Sequence, residues 1–369
     1  MIFLHFQMKR YAVIATLFLP FLLLAKDVEP YLLDLSGFSQ DVLGGQIQKA
    51  LKAPIVSIVD KPSPSPTGDA HDYISYGRYY WPNPSKPDGL PYIQKDGHPN
   101  QKQIELGDEK RLNGFINHVE SLALGWACLH REDCARRAGE WLRAWLVSPA
   151  TKINPAFEYA QIRLGRDNNH GSSSGLIDTR NLIRLVDALR LLHDSPGLSS
   201  DDEKVAKAWF ADYLRWLTTS PNGRKEHEAR NNHGSWYLAQ VIAIARMLGL
   251  DEEAKKYARE DFERISWQIQ PDGRQPLETA RVDGLSYSIF NLQAQLSCAR
   301  LAAPLGIDLW NFTAPTGGGI KQALEYLKPY DSSPEKWPNN QLAKQKPGFL
   351  KSSLDMAAKL DAKAGAGKR

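Results

Sequence analysis

The chain has 369 residues, of which 42% are hydrophobic and 24% charged, a composition ordinary for a globular protein with one large core or two smaller ones. Its formal net charge is only +4. So small an excess predicts no broad basic face, which argues against nucleic acid as a partner.

Residues 1–25 have the pattern of a secretory signal peptide. Lys9 and Arg10 precede an apolar run that ends at Ala25 and is followed by Lys26. The run is short for a membrane span, so we predict cleavage after Ala25 and a periplasmic or secreted protein without stable membrane anchoring. An uncleaved anchor is the alternative. Loss of this segment lowers the net charge to +2 because it carries two basic residues and no acid.

Residues 60–107 are rich in proline, glycine and tyrosine. Their aromatic content is too high for a linker, so we predict a long ordered loop packed over the rest of the chain. Tyr79, Tyr80 and Trp81 are adjacent in it, where core packing alone does not demand large rings. We expect these three residues to line or cover a cleft and to stack on sugar rings.

From about residue 110 the apolar residues recur at helical spacing and no run of alternating strands is visible. Ser199 and Ser200 are expected to cap one helix, and Gly249 to end another. The pattern indicates an all-α domain over residues 26–355, a series of antiparallel helix pairs of the kind that can curl into an α/α toroid, and a polar, disordered tail over 356–369. The predicted helices span 112–129, 134–147, 182–192, 203–218, 236–248, 252–267, 286–304 and 318–328.

The tetrapeptide Asn-Asn-His-Gly occurs twice, each time ahead of a probable helix. The second copy contains Asn232 and His233, and Trp236 just after it is a candidate substrate-binding residue. The first copy contains Asn169 and His170. For the first copy, a capping loop and a sugar-binding role opposite His233 remain equally open.

Several chemistries compete for these residues. The chain has no HExxH sequence and no cysteine pair at zinc spacing, so no catalytic metal is expected. The sequence GSSSG at 171–175 matches a serine-nucleophile motif but lacks the strand that must precede it. Cys128 and Cys134 either pair as a disulfide or stay buried thiols, as Cys298 does. Four carboxylates keep a two-acid glycoside hydrolase as an alternative: Asp167, Asp178, Glu278 and Asp283.

β-Elimination in a polyuronate needs a different set of groups. The C5 proton of a uronate is barely acidic until the adjacent carboxylate is neutralised, which Asn, Arg and a helix N-terminus can do. A base then removes that proton and an acid protonates the leaving O4. Asn232, His233, Arg281 and Tyr287 together supply these functions. Taken singly, each has a structural explanation: a helix cap, a loop histidine, a salt bridge and a core ring.

Four segments within residues 72–294 carry a resemblance to known proteins: DYISYGRYYWPNPSKPDGLPYIQKDG, LIDTRNLIRLVDALRLL, SPNGRKEHEARNNHGSWYLAQV and PLETARVDGLSYSIFNLQA. In these segments the chain resembles the alginate lyase family of helical-toroid polysaccharide lyases. The resemblance implies an incomplete α/α toroid and lyase action on an anionic uronate polymer without a cofactor.

Matched position by position, the resemblance assigns neutralisation of the carboxylate to Asn232 and a role as base or sugar-orienting group to His233. Arg281 would hold a carboxylate, and Tyr287 would donate the proton and also serve as a candidate base. The spacing from Arg281 to Tyr287 is one residue shorter than in better-known alginate lyases, and SY replaces their HY. The sequence is therefore also similar to a branch that includes glucuronan-cleaving enzymes. A glycoside hydrolase and a non-catalytic uronate-binding protein remain the alternatives.

Overall fold

The computed structural model describes residues 29–35, 40–61 and 65–366. The predicted signal peptide therefore lies outside the described residues. Within them no helix is long and apolar enough to cross a membrane.

Helices dominate the described part of the chain, as predicted. Every helix expected from the sequence is present, with ends that differ by a few residues, and the helix α4 continues through a wider turn over Arg143–Val147. The α-helices are α1 Gln40–Lys52, α2 Gln101–Leu106, α3 Glu109–Leu129, α4 Glu132–Leu142, α5 Leu182–Leu192, α6 Ser200–Thr219, α7 Pro221–His227, α8 Asn232–Met247, α9 Asp251–Gln268, α10 Pro276–Thr279, α11 Gly284–Ala302, α12 Ile320–Asp331 and α13 Lys351–Ala366.

Four of these helices form an inner row in which α3 contacts α5, α5 contacts α8 and α8 contacts α11. The outer helices α1 and α4 pack on α3, α9 packs on α8, and α12 and α13 pack on α11. This is the incomplete α/α toroid that the sequence predicts. Along α8 nearly every residue from Gly234 to Met247 is buried, because helices cover it on several sides.

Two local predictions about helix ends are confirmed. The Ser199 hydroxyl accepts the backbone N–H of Asp202 and caps α6. Gly249 follows the end of α8 with a φ of 73°, the left-handed conformation that glycine adopts without steric cost.

The aromatic loop is ordered over its described residues and carries three short strands: β1 Ile74–Tyr76, β2 Tyr80–Trp81 and β3 Ile93–Gln94. β2 pairs antiparallel with β3. β1 pairs in parallel with a fourth strand, β4 Tyr159–Ile162, from the segment between α4 and α5. These pairings fix the loop over one end of the inner helices, although the sequence shows no long alternating pattern.

The C-terminal prediction is wrong in its secondary structure. Residues 356–366 belong to α13, and Ala357 and Leu360 are buried against the core. Apolar residues at these positions recur on one face of the helix, which the charged composition of the segment conceals. Residues 367–369 lie outside the described part. The three cysteines are free thiols, so Cys128 and Cys134 do not pair.

Candidate active site

A cavity of about 450 Å³ opens where the aromatic loop meets the inner helices. The N-terminus of α8, the start of α11 and the segment before α5 form its walls. Its lining includes Asn232, His233, Arg281 and Tyr287, the four residues that the sequence predicts to be catalytic, together with Tyr79 and Tyr80. The structure therefore brings together residues from positions 79 to 287.

The two asparagines of the second Asn-Asn-His-Gly have different roles at the start of α8. Asn231 is the capping residue, and its side-chain oxygen accepts the His233 backbone N–H at 3.2 Å. Asn232 is the first helical residue and is only 1% exposed. The alternative that Asn232 is the helix cap is thus wrong, because Asn231 occupies that position.

Asn232 is held by a buried carboxylate. Glu278 of the short helix α10 is 2% exposed and accepts the Asn232 backbone N–H at 2.6 Å and its Nδ2 at 2.7 Å. Burial raises the pKa of Glu278, while the two hydrogen bonds from Asn232 oppose that rise. The negative charge lies at the positive end of α8, which favours it. Asn Nδ2 carries two hydrogens, so one is left for a ligand in the cavity.

His233 is paired with a second buried acid. Its Nδ1 lies 2.6 Å from Oε1 of Glu226, which is 3% exposed on α7. Ser220 caps α7 and Pro221 occupies its first position, so this seven-residue helix has a well-defined start. Burial lowers the pKa of His233, but the charge of Glu226 and its hydrogen bond outweigh burial, and the net pKa is raised.

The resemblance implies that Arg281 holds a sugar carboxylate, but its guanidinium group is already engaged by another residue. Its Nε and Nη2 donate to Asp96 of the aromatic loop at 2.9 and 2.5 Å. The guanidinium carbon lies 3.7 Å from the centre of the Tyr287 ring. Arg281 therefore joins the loop to the ring of the proposed proton donor, a cation–π contact with a salt bridge on its far side.

The hydroxyl of Tyr287 lies 2.9 Å from that of Tyr79. Burial raises the pKa of Tyr287, the Tyr79 hydrogen bond adds to the rise, and the charge of Arg281 opposes it. Tyr287 is therefore a neutral phenol at neutral pH, able both to give and to accept a proton.

Four residues expected to bind sugar do not line the cavity: Trp236, Trp81, His170 and Asn169. Trp236 is 8% exposed and packs on Phe290 within the core. Trp81 donates its Nε1–H to the carbonyl of His98 at 2.8 Å, with Lys95 over its ring, so it braces the loop. His170 is exposed and lies against the ring of Tyr159.

The first Asn-Asn-His-Gly thus has a different setting from the second. Asn168 and Asn169 both have positive φ, which asparagine tolerates, and the Asn169 side chain accepts the N–H of Gly165. This copy forms an exposed turn and not a helix start, so the equal tetrapeptides do not face each other across the cavity.

The sequence did not reveal the cavity wall opposite α8. There Arg78 donates from one nitrogen to both oxygens of Glu109, and Arg180 lies over the ring of Phe290. Both arginines line the cavity. Their partners are distant in sequence, so no local spacing marks them.

The four acids weighed for a hydrolase are all engaged in other contacts. Asp167 pairs with Arg163, and Asp283 accepts from Gln341 and the backbone of Ala343. Asp178 is buried, and burial raises its pKa to about 6 despite hydrogen bonds from Ser75, Gln161 and Tyr73. Among the described residues no cluster of histidine, cysteine and acidic side chains could hold a metal ion.

The Tyr79 hydroxyl offers a direct test of the loop contact. We expect Tyr79→Phe to lower kcat about tenfold, which corresponds to ~1.4 kcal/mol, because the Tyr287 hydroxyl loses a hydrogen-bond partner that orients it. Steady-state kinetics and the melting temperature are measured together. Tyr80→Phe is the matched control, since Tyr80 also lines the cavity but its ring lies near Arg163. Equal effects of the two substitutions would contradict the assigned contact.

Comparison with known proteins identifies the family of this chain. The sequence model described as alginate lyase matches residues 57–337. The crystal structure of an alginate lyase from Bacteroides ovatus is 37% identical, with a TM-score of 0.82 over 88% of this chain and 86% of that one. No curated protein sequence matches at a significant level.

More distant structures share the fold alone. Alginate lyase A1-III from Sphingomonas species A1 is 16% identical, with a TM-score of 0.53 over 84% of each chain. A histidine-to-alanine variant of A1-III in complex with a tetrasaccharide gives 16% identity and a TM-score of 0.54 over 84% of each chain. The family match over most of the chain and the similarity to the Bacteroides ovatus enzyme place this protein in the alginate lyase family of polysaccharide lyases.

Proposed function

We propose that this enzyme cleaves 1,4-linked uronate polymers, with alginate as the first candidate, by β-elimination to give unsaturated uronate ends. The observation that carries the proposal is that Asn232 and His233, at the N-terminus of α8, line the same cavity as Tyr287. A charge-binding group and a proton-transfer group thus lie in one water-accessible space. The family match and the Bacteroides ovatus structure, both described as alginate lyase, support the choice of substrate.

Neutralisation of the substrate carboxylate falls to the α8 side of the cavity. The free hydrogen of Asn232 Nδ2 and the ring of His233 can bind the carboxylate oxygens, and the helix dipole acts in the same direction. The charge on the carboxylate grows as the C5 proton leaves, so these contacts strengthen in the transition state.

Proton transfer falls to Tyr287. Its O–H proton passes to O4 as the C4–O4 bond breaks, and the oxygen, which becomes phenolate-like as that proton leaves, accepts the C5 proton as the C4=C5 double bond forms. The phenol is neutral before and after this step, which agrees with its raised pKa. Arg281, stacked on the ring, stabilises negative charge that develops on the oxygen during the transfer.

Three arginines in the cavity wall can help to bind an anionic polymer. Arg78 is paired with Glu109 and Arg281 with Asp96, so Arg180 is the arginine that we expect to contact the polymer most directly. The engagement of all four candidate acids disfavours the hydrolase alternative.

Secretion is part of the proposal and rests on the sequence of residues 1–25. A polymer too large to enter a cell is degraded outside the cytoplasm, so a periplasmic or extracellular enzyme is consistent with this substrate class.

The decisive experiment offers the purified protein polymannuronate, polyguluronate and glucuronan in parallel. The C4=C5 double bond absorbs in the ultraviolet, so a lyase gives rising absorbance together with shorter products. A hydrolase gives shorter products without that absorbance, and a binding protein gives affinity without new ends. The polymer cleaved fastest identifies the preferred uronate, and absence of the signal on all three would refute the proposal.

A further inference from the structure

Glu226 is a buried acid that the reaction described above does not use. It lies on α7, does not line the cavity and is 3% exposed, yet its carboxylate is 2.6 Å from His233 Nδ1. A buried carboxylate without a role is costly, because its desolvation must be offset by a partner. Here the ring nitrogen of a cavity residue is that partner.

We infer that Glu226 is a positioning residue that fixes the His233 ring and holds it as an imidazolium, so that His233 acts as a fixed cation toward the substrate carboxylate and not as the base. The inference rests on the proposed function and decides a question that the sequence leaves open. Glu226 acts only through His233.

The geometry of imidazole gives the first step. A neutral ring has one N–H and one bare nitrogen, whereas an imidazolium has two N–H groups. The carboxylate at Nδ1 requires a hydrogen there, so Nδ1 cannot be the bare nitrogen. The His233 side chain keeps 20% exposure and lines the cavity, which leaves Nε2 as the nitrogen available to a ligand.

The charges around the ring give the second step. Glu226 on α7 and Glu278 on α10 both raise the pKa of His233, and Arg281 just beyond α10 lowers it. Burial also lowers it, yet the net shift is upward because the Glu226 contact is so close. Two acids against one arginine favour a positive ring, and Arg281 is itself neutralised by Asp96.

If His233 is protonated, it cannot be the base in the reaction. An imidazolium has no free lone pair and cannot accept the C5 proton, so proton transfer belongs to Tyr287. It can donate an N–H to a carboxylate as a charge-assisted hydrogen bond, which is about twice as strong as a neutral one.

The pH dependence has a definite sign. The folded pKa of His233 is above its unfolded value, so the ion pair stabilises the fold fully below the unfolded pKa and loses this contribution as pH rises through the folded pKa. Activity that needs the imidazolium must fall over the same upper range.

The test uses Glu226→Gln, which keeps the shape and the acceptor oxygen but removes the charge. We expect the alkaline limb of the kcat/KM profile to move down by about 1–3 pH units, the usual effect of one adjacent charge. A purely structural role would lower activity or stability at all pH values without moving the limb. Glu226→Asp, which retains the charge, should restore most of the limb's position.

The chain supplies a matched control in Glu260→Gln. Glu260 contacts His227 Nε2 at 2.7 Å, a pair of the same kind whose residues do not line the cavity. We expect this substitution to leave the pH profile in place. An equal shift in both variants would overturn the inference, since it would reflect the loss of one negative charge anywhere in the protein and not the contact with His233.

A readout that needs no substrate separates this inference from the proposed function. Nitrogen-15 NMR of the histidine rings in the wild-type protein, with His233→Gln used for assignment, reports directly whether His233 carries two N–H groups. We expect two at pH 7 and a titration midpoint above that of a free histidine. A neutral His233 at pH 7 overturns the inference even if the enzyme cleaves alginate, and a charged one supports it even if another polymer is the substrate or Glu226→Gln fails to fold.

Discussion

Replacement of Tyr287 by phenylalanine is expected to reduce kcat by ~10²–10⁴-fold, the loss typical of a missing acid–base group, with KM changed by less than about threefold. The substitution removes one oxygen and keeps the ring. The stacking of Arg281 on that ring, at 3.7 Å, does not depend on the hydroxyl.

The physical reason is that no neighbouring group can replace this hydroxyl. The Tyr79 hydroxyl lies 2.9 Å from the Tyr287 oxygen, and we expect it to bind to Tyr287 and not to the sugar. His233 is paired with Glu226, and Asn232 does not ionise. Loss of the phenol therefore removes both the acceptor for the C5 proton and the donor to O4.

Turnover is followed by the ultraviolet absorbance of the unsaturated product, and binding is measured separately by calorimetry with an oligouronate. Ser286→Ala is the matched control, because Ser286 also lines the cavity and its hydroxyl accepts from Gln341 and Gln345. A folded Tyr287→Phe variant with near-normal kcat would show that another group transfers the proton.

The helical periods were readable from the sequence because the inner helices carry apolar residues at regular spacing. Leu182, Leu185, Val186 and Leu189 lie on one face of α5, and all four are buried. Ser199 and Gly249 marked helix ends through their intrinsic backbone preferences, which act within one turn. Such local preferences determine helix ends unless tertiary contacts oppose them.

The four proposed catalytic residues could also be proposed from the sequence, since each lies in a short sequence motif that resembles the family. Their partners were not. Glu226 precedes His233 by seven residues and Glu278 follows Asn232 by forty-six, and each meets its partner only because α7, α8 and α10 converge. Nothing in the sequence tells Glu226 from its exposed neighbour Glu228, which has no such contact with His233.

Aromatic residues misled the sequence interpretation for a related reason. A tryptophan suits a sugar face and a helix core equally well. Trp236 lies one turn into α8, where the helix is covered on all sides, whereas Tyr79 reaches the cavity from the loop. The burial of a residue depends on how many helices surround it. The spacing of apolar residues within one helix does not reveal how many helices pack around it.

Replacement of Asn232 is the second substitution for which we expect a large loss of activity. We expect Asn232→Ala to lower kcat by ~10²–10³-fold, the loss typical of one donor to a developing oxyanion. The same change removes the side-chain hydrogen bond to Glu278, which should cost about 1–3 kcal/mol of unfolding free energy because a buried carboxylate loses a partner. Stability and chemistry therefore fall together in this variant.

A charge exchange between the two residues separates these effects. Asn232→Asp alone places a second carboxylate beside buried Glu278, so like-charge repulsion should destabilise the fold strongly. Asn232→Asp combined with Glu278→Gln returns the pair to one carboxylate and one amide, with the amide of position 278 donating in the reverse direction. The melting temperature of the double variant should recover toward that of the wild type.

Turnover should not recover in the double variant, because a carboxylate at position 232 has no hydrogen to donate and repels the uronate carboxylate. Melting curves and the absorbance assay on the wild type, the two single variants and the double variant form a complete cycle that measures the coupling. Recovery of both stability and turnover would mean that Asn232 serves only to hold Glu278 at the start of α8. Recovery of stability without turnover is the result expected if the free hydrogen of its amide binds the substrate carboxylate as charge accumulates there.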